Sequence, residues 1–81
     1  MQHARKDYNR IQDPENLIPQ EEPVFLIRAQ DPIAAEVARY WAFKYAQDPR
    51  HDPSVVDLVV RHAKKMDEWQ PKKSIADVPA Q

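Results

Sequence analysis

Three neighbouring side chains have the chemistry of a hydrolytic site. His51, Asp52 and Ser54 lie close together in the chain, but a nucleophile, its base and the group that orients the base must converge on one point. One extended turn does not usually bring consecutive side chains together in this way. Asp52-Pro53 is more typical of a helix start, because aspartate caps the free amides of the first turn and proline suits its first position. We therefore predict no catalytic residue and a non-enzymatic protein.

Metal and cofactor sites also lack support in the sequence. The histidines at positions 3, 51 and 62 have no spacing typical of metal ligands, and the chain has no cysteine. The chain contains no glycine, which excludes the glycine-rich loops that bind phosphates in Walker and dinucleotide-binding motifs. We predict no metal site and no cofactor.

A mixture of positive charge and aromatic character lies near the C-terminal end. The candidate contacts to phosphate or nucleic acid are Lys64, Lys65, Lys72 and Lys73, near Trp69, and single-strand-binding proteins combine such residues. The net charge is −1, however, and the acidic segment 13–22 would repel a phosphate backbone. The sequence disfavours a nucleic-acid partner.

Arg28 ends an apolar run that begins at Pro23, and it has three interpretations. It could form a structural ion pair with a nearby carboxylate. It could lie at the rim of a protein interface, where arginine is enriched. It could hold a phosphate near the following helix start, although Asp31 already places a negative charge there.

The chain has seven aromatic residues, many for so small a core. Tyr40, Trp41, Phe43 and Tyr45 fall around much of one predicted helix, so one buried face cannot cover them all. We expect Phe43, with Tyr40 or Ile33, on a second surface, and exposed aromatic patches mark interfaces. The alternative is that the strands and the second helix cover both sides. The predicted partner-binding residues are Glu21, Glu22, Arg28, Tyr40 and Phe43.

The elements that position these residues are two helices and a short strand. Apolar residues recur at helical spacing over 32–46 and 53–69, and the short turn between these segments predicts an antiparallel hairpin. Residues 24–29 are typical of a strand, with 8–12 as the candidate partner. The predicted fold class is α+β: a short two-stranded antiparallel unit packed on the hairpin, mostly helical.

The hydrophobic pattern also predicts which helix faces are buried. The expected stripe on the first helix is Ala34, Val37, Ala38, Trp41 and Tyr45. The expected stripe on the second helix is Val55, Val59, His62, Ala63, Met66 and Trp69.

At 81 residues the chain has room for one domain with a marginal core. We predict a single domain over 1–69, with its strand region at 8–29, and a flexible tail over 70–81. A homo-oligomer would supply extra stability. There is no membrane-length apolar run, no secretion signal and no cysteine, so we expect a cytoplasmic protein.

One phrase of the sequence resembles a known group of proteins. Ile18-Pro19, Glu22-Pro23-Val24-Phe25-Leu26 and Arg28-Ala29-Gln30-Asp31 resemble a stretch shared by small proteins encoded in phages and prophages. The resemblance covers roughly residues 8–69, and the chain departs from the group at Ala34-Ala35, where relatives often have Ala-Pro. The resemblance implies a context and no catalytic residues: small phage proteins often bind a host component, including components of antiviral defence.

These observations favour a phage protein that binds and inhibits a host protein in the host cytoplasm, such as a defence complex, in the manner of an anti-CRISPR protein. The expected contact surface is the acidic segment 13–22 with the aromatic second face of the first helix. Two alternatives stay open. One is a sponge that sequesters a nucleotide second messenger, with Arg28 holding phosphate and an aromatic ring stacking on the base. The other is a small nucleic-acid-binding regulator.

Overall fold

The computed structural model describes residues 1–11 and 13–77. In chain order, strand β1 is Gln2–His3, a 3-10 helix is Lys6–Arg10, strand β2 is Pro23–Val24, helix α1 is Ala34–Ala46 and helix α2 is Pro53–Glu68. Backbone contacts place Met1–Ile27 in one compact unit and Arg28–Asp77 in another, whereas the sequence favoured one domain over 1–69. Each unit is described by itself.

The first unit contains a two-stranded sheet whose direction corrects the prediction. β1 runs parallel to β2, with Gln2 opposite Pro23 and His3 opposite Val24. The antiparallel pairing was wrong because the partner strand is the N-terminal one, and the connection over residues 4–22 is long enough for the crossover that parallel strands require. The expected strand at 24–29 is correspondingly reduced to Pro23–Val24.

Residues 8–10, predicted to form the partner strand, lie in the 3-10 helix instead. This helix buries Tyr8, which is 5% exposed. The guanidinium of Arg5 lies 4.7 Å from the centre of the Tyr8 ring and donates a hydrogen bond to its hydroxyl at 3.1 Å. The buried ring therefore stabilises a turn where the sequence indicated extended backbone. Gln12, the end of the predicted strand, lies outside the described residues.

The acidic loop before β2 turns without glycine. Asn16 adopts a φ of 53°, a left-handed conformation that asparagine tolerates better than most side chains. The backbone carbonyl of Asp13 accepts the Asn16 N–H at 2.9 Å. The side-chain carboxylate of Asp13 accepts the Ile18 N–H at 2.8 Å. One acid of segment 13–22 thus has a structural role in this loop.

The second unit contains the two predicted helices. α2 begins where the Asp-Pro signal predicted, because the Asp52 carboxylate accepts the Ser54 N–H at 2.9 Å and Pro53 opens the helix. At the start of α1, the Asp31 carboxylate accepts the Ile33 N–H at 2.9 Å and its carbonyl accepts the Ala34 N–H at 3.1 Å. The predicted start of α2 is confirmed, whereas α1 begins at Ala34, two residues later than predicted, with Ile33 at its N-cap position and no side-chain cap.

The helices pack through alanine, which corrects the predicted buried face of α1. Ala34, Ala35, Ala42 and Ala63 are 1%, 6%, 2% and 0% exposed, and we call these four residues the alanine seam. No fully buried large side chain is found among the described residues. Small side chains let two helix backbones approach closely, and the bulky residues of α1 are left exposed beside and beyond this contact.

Two bulky residues predicted in the α1 stripe are therefore exposed: Val37 by 37% and Trp41 by 49%. On α2, Val55, Val59 and Met66 are half-buried beside the seam, whereas His62 and Trp69 are exposed. The predicted stripe of α2 is thus correct at Val55, Val59, Ala63 and Met66 and wrong at His62 and Trp69.

Lysines in the segment that follows α2 anchor it to the residues that precede α1. The Lys72 ammonium donates to the carbonyl of Ala29 at 2.7 Å and to the carbonyl of Met66. The Lys73 N–H donates to the carbonyl of Gln30 at 2.8 Å. The C-terminal end of α2 therefore lies beside the N-terminal side of α1, as in an antiparallel hairpin.

Two buried aspartates also connect the segment after α2 to the residues before α1. Asp31 and Asp77 are 5% and 4% exposed, and the Asp31 carboxylate accepts the Asp77 N–H at 2.9 Å. The Asp77 carboxylate accepts the side-chain amide of Gln30 at 2.6 Å and lies 3.3 Å from the Lys73 ammonium. Residues 70–77 thus make specific hydrogen bonds where a flexible tail was expected, and residues 78–81 of that tail lie outside the described residues.

Candidate functional site

Outside the alanine seam, the surface of α1 exposes large apolar side chains. We call it the aromatic face, and its exposed fractions range from 37% at Val37 to 64% at Tyr40. Tyr40 and Phe43 are exposed as expected, while Trp41 was expected in the core. Tyr40 and Phe43 are three residues apart and therefore neighbours on the helix surface, and exposed apolar patches mark interaction sites. The aromatic face comprises Ile33, Val37, Tyr40, Trp41 and Phe43.

Charged residues flank the centre of the aromatic face. Glu36 lies four residues before Tyr40 and Lys44 four residues after it, so both lie on the same side of the helix as the tyrosine. Both charged side chains are exposed. An apolar centre with a polar rim is the usual composition of a protein interface.

Trp41 is held in a stack of three rings. Its indole lies 4.9 Å from the Tyr45 ring with an interplanar angle of 26°, and Tyr45 lies 4.0 Å from the His51 imidazole at 14°. His51 Nδ1 also donates to the Tyr45 carbonyl at 2.8 Å. The stack restricts Trp41, and a rigid aromatic side chain loses little conformational entropy when a partner covers it.

The side chains considered for hydrolysis are engaged in the local structure of the turn and the start of α2. His51 stacks on Tyr45, and Asp52 accepts the Ser54 backbone N–H as a helix cap. Sequence reasoning gave no signal for the ring stack, because it depends on the conformation of the turn between α1 and α2.

That turn is fixed by an ion pair between Asp48 and Arg50. The guanidinium donates to the carboxylate at 3.0 Å from Nε and 2.5 Å from Nη2, and the Arg50 N–H donates to it at 3.0 Å. The Arg50 side chain, then its backbone N–H, and then the charge of His51 lower the pKa of Asp48 from 3.8 to about 2. The Ser54 backbone N–H likewise lowers the pKa of Asp52.

The lowered pKa of Asp48 gives a direct test of its ion pair with Arg50. We expect the Asp48 carboxyl to titrate with a midpoint of about 2 in NMR spectra of the folded protein. Because its folded pKa is lowered, its stabilising contribution is present above the unfolded pKa and is lost as the pH falls through the folded value. In Arg50→Ala the midpoint should return toward 3.8, and an unchanged midpoint would contradict the ion pair.

The predicted partner-binding residues fall in both units. Glu21 and Glu22 lie in the first unit, and Arg28, Tyr40 and Phe43 lie in the second. All five side chains belong to exposed residues. The structure brings Tyr40 and Phe43 together on the aromatic face.

The four candidate lysines differ in their surroundings. Lys64 and Lys65 are exposed on α2. Lys72 donates to two backbone carbonyls, and Lys73 pairs with the Asp77 carboxylate. Two of the four candidates for phosphate contacts are therefore engaged within the second unit.

Comparison with known proteins adds no functional assignment. No protein-family model, curated protein or solved structure matches the chain. Within residues 1–11 and 13–77, no group of histidine, aspartate or glutamate side chains is arranged to hold a metal ion. Nor does any helix in these ranges have the length and apolar character needed to span a bilayer.

Proposed function

We propose that this chain is a non-enzymatic phage protein that binds a host protein through the aromatic face of α1 and inhibits it. The exposure of Tyr40 and Phe43, 64% and 62%, carries the proposal. Removing apolar surface from water contributes roughly 25 cal/mol per Å². Aromatic side chains are also enriched among the few residues that dominate interface energetics.

The alanine seam supports this use of α1. Ala34, Ala35 and Ala42 are the buried residues of α1, so the exposed rings of the helix are not part of its buried surface. Large apolar side chains that do not contribute to the core are better explained by binding than by folding.

The host context rests on the phrase that resembles phage and prophage proteins, around Glu22-Pro23-Val24-Phe25-Leu26. A host-cell cytoplasmic location and a defence complex as the target belong to the same proposal. Glu21 and Glu22 are exposed and would act mainly by steering the encounter with a basic partner surface, since rim charges affect association rates more than affinity.

A capture experiment followed by binding measurements tests the proposal. Wild type and Phe43→Ala would be used to capture proteins from host lysate, and the captured protein would then be purified. We expect Phe43→Ala to bind it roughly 10- to 30-fold more weakly, as hot-spot truncations do. Inhibition of that protein's activity by the wild type should weaken in parallel.

Leu58→Ala is the matched control, because Leu58 is 59% exposed but lies on α2. It should bind as the wild type does, and circular dichroism should show that both variants retain their helices. Equal binding by Phe43→Ala would contradict the proposal. A stable homodimer that dissociates on Phe43→Ala would instead assign the aromatic face to self-association.

A further inference from the structure

A pocket at the C-terminal end of α1 combines the ring stack with a positive charge. Its volume is about 360 Å³, within the range of small-molecule sites. It is lined by Trp41, Lys44, Tyr45 and His51. Trp41 is 49% exposed, and Lys44 and His51 are exposed as well, so a ligand can reach all three side chains from solvent.

Three of the four lining residues are the stacked rings. The Trp41 and Tyr45 rings lie 4.9 Å apart at 26°, and the Tyr45 and His51 rings lie 4.0 Å apart at 14°. A planar aromatic ligand that lies against the exposed indole adds one more ring to this stack. Nucleobases stack on such side chains whatever their identity, because every base has a π-face.

Lys44 supplies the charge of this pocket. Within residues 1–11 and 13–77 its ammonium forms no ion pair. Lys44 follows Trp41 by three residues, so the two side chains are neighbours on the helix surface. An anionic group attached to the stacked ring can therefore reach the ammonium.

Negative groups in the adjoining turn are engaged elsewhere. The Asp48 carboxylate pairs with Arg50 at 2.5 Å. The Tyr45 carbonyl, at the negative end of the α1 dipole, accepts His51 Nδ1–H at 2.8 Å and the Asp48 N–H at 3.4 Å. No acidic side chain among the described residues lines the pocket, so the pocket favours an anion over a cation.

We propose that this pocket binds a free nucleoside phosphate, with its base stacked on the Trp41 indole and its phosphate paired with Lys44. A nucleotide carries the planar ring and the negative charge in one small molecule. A single-stranded nucleic acid offers the same two groups, but the net charge of −1 disfavours a polyanion. The site shares Trp41 with the aromatic face and needs neither Tyr40 nor Phe43, so its test is separate from that of the proposed function.

Adenosine monophosphate, adenosine and ribose phosphate are the matched probes, because the second and third each lack one of the two binding groups. Each would be titrated into the full chain to about 10 mM, the range that detects weak millimolar affinities, and followed by NMR. We expect adenosine monophosphate to give a saturable shift of the Trp41 indole N–H and the His51 imidazole signals, with Trp69 and His62 unchanged. Adenosine should bind roughly two- to fivefold more weakly, the effect of one exposed ion pair, and ribose phosphate should leave the indole signal unchanged.

Two variants separate the charge from the stacking. Lys44→Gln should bind adenosine monophosphate and adenosine equally, with the affinity for adenosine unchanged. Trp41→Leu should abolish the shift at His51. Lys64→Gln, which removes an exposed lysine of α2, is the matched control and should bind as the wild type does. Phe43→Ala should also bind the nucleotide normally, which distinguishes this site from the host-protein contact.

The wild type alone can overturn the proposal. It fails if no saturable shift appears at Trp41, or if adenosine monophosphate and adenosine bind with equal affinity at low salt. Tighter binding of a short deoxyadenosine oligonucleotide than of adenosine monophosphate, at equal concentrations of nucleotide units, would overturn the assignment to a free nucleotide.

Discussion

Replacing Ala63 by leucine will unfold the helical hairpin. Ala63 is 0% exposed at the alanine seam, so a larger side chain must push α1 and α2 apart. Overpacking a tight core costs about 1–3 kcal/mol, whereas so small a core supplies only about 3–5 kcal/mol in total. In urea denaturation followed by circular dichroism, the midpoint should fall by roughly half, or the folded baseline should disappear.

Ala46→Leu is the control for this substitution. Ala46 is the last residue of α1 and is exposed, so the same chemical change there should alter stability by less than about 0.5 kcal/mol. Similar midpoints for Ala63→Leu and the wild type would mean that the helices do not pack as closely as the seam implies.

Asp31→Ala will release the segment after α2 from the hairpin. The substitution removes the acceptor of both the Ile33 N–H and the Asp77 N–H. Each is a hydrogen bond to a charged acceptor, and loss of such a bond costs about 1.5–3 kcal/mol. We expect a total loss of roughly 2–4 kcal/mol, since the two contacts share one carboxylate.

Hydrogen exchange distinguishes this release from general destabilisation. The amides of Lys73 and Asp77 should exchange faster in Asp31→Ala, ahead of those in the middle of α2. Asp67→Ala is the control, because Asp67 also pairs across the unit, with Arg39, but its side chain is 52% exposed, and such pairs contribute about 0–1 kcal/mol. Equal effects of the two substitutions would contradict the role given to Asp31.

The sequence predicted the elements whose signals are local. Asp52-Pro53 marked the start of α2 because a cap and its proline act within one turn of helix. The direction of the strand pair had no such signal: β1 and β2 are separated by residues 4–22, and their register depends on contacts far apart in sequence. The role of Asp31 in holding Asp77 was missed for the same reason.

The buried face of α1 was mispredicted for a different reason. The predicted stripe joined Ala34 and Ala38 with Val37 and Trp41. Ala34 is buried as predicted, but Val37 and Trp41 are exposed, and Ala35 and Ala42 are buried in addition. Periodicity favours the larger side chains for the core, but close approach of the backbones favoured alanine. The aromatic count still predicted the exposure of Tyr40 and Phe43, whereas the burial of His3 had no sequence signal.

The alanine seam also separates two kinds of mutational constraint within one helix. Positions such as Ala35 and Ala42 tolerate few replacements, because almost any larger side chain opens the seam. Positions such as Val37 and Phe43 face solvent and carry no such restriction. New binding specificities can therefore arise on α1 through a handful of substitutions that leave the hairpin unchanged, and the helix offers a small cysteine-free and glycine-free scaffold for selecting binders in the laboratory.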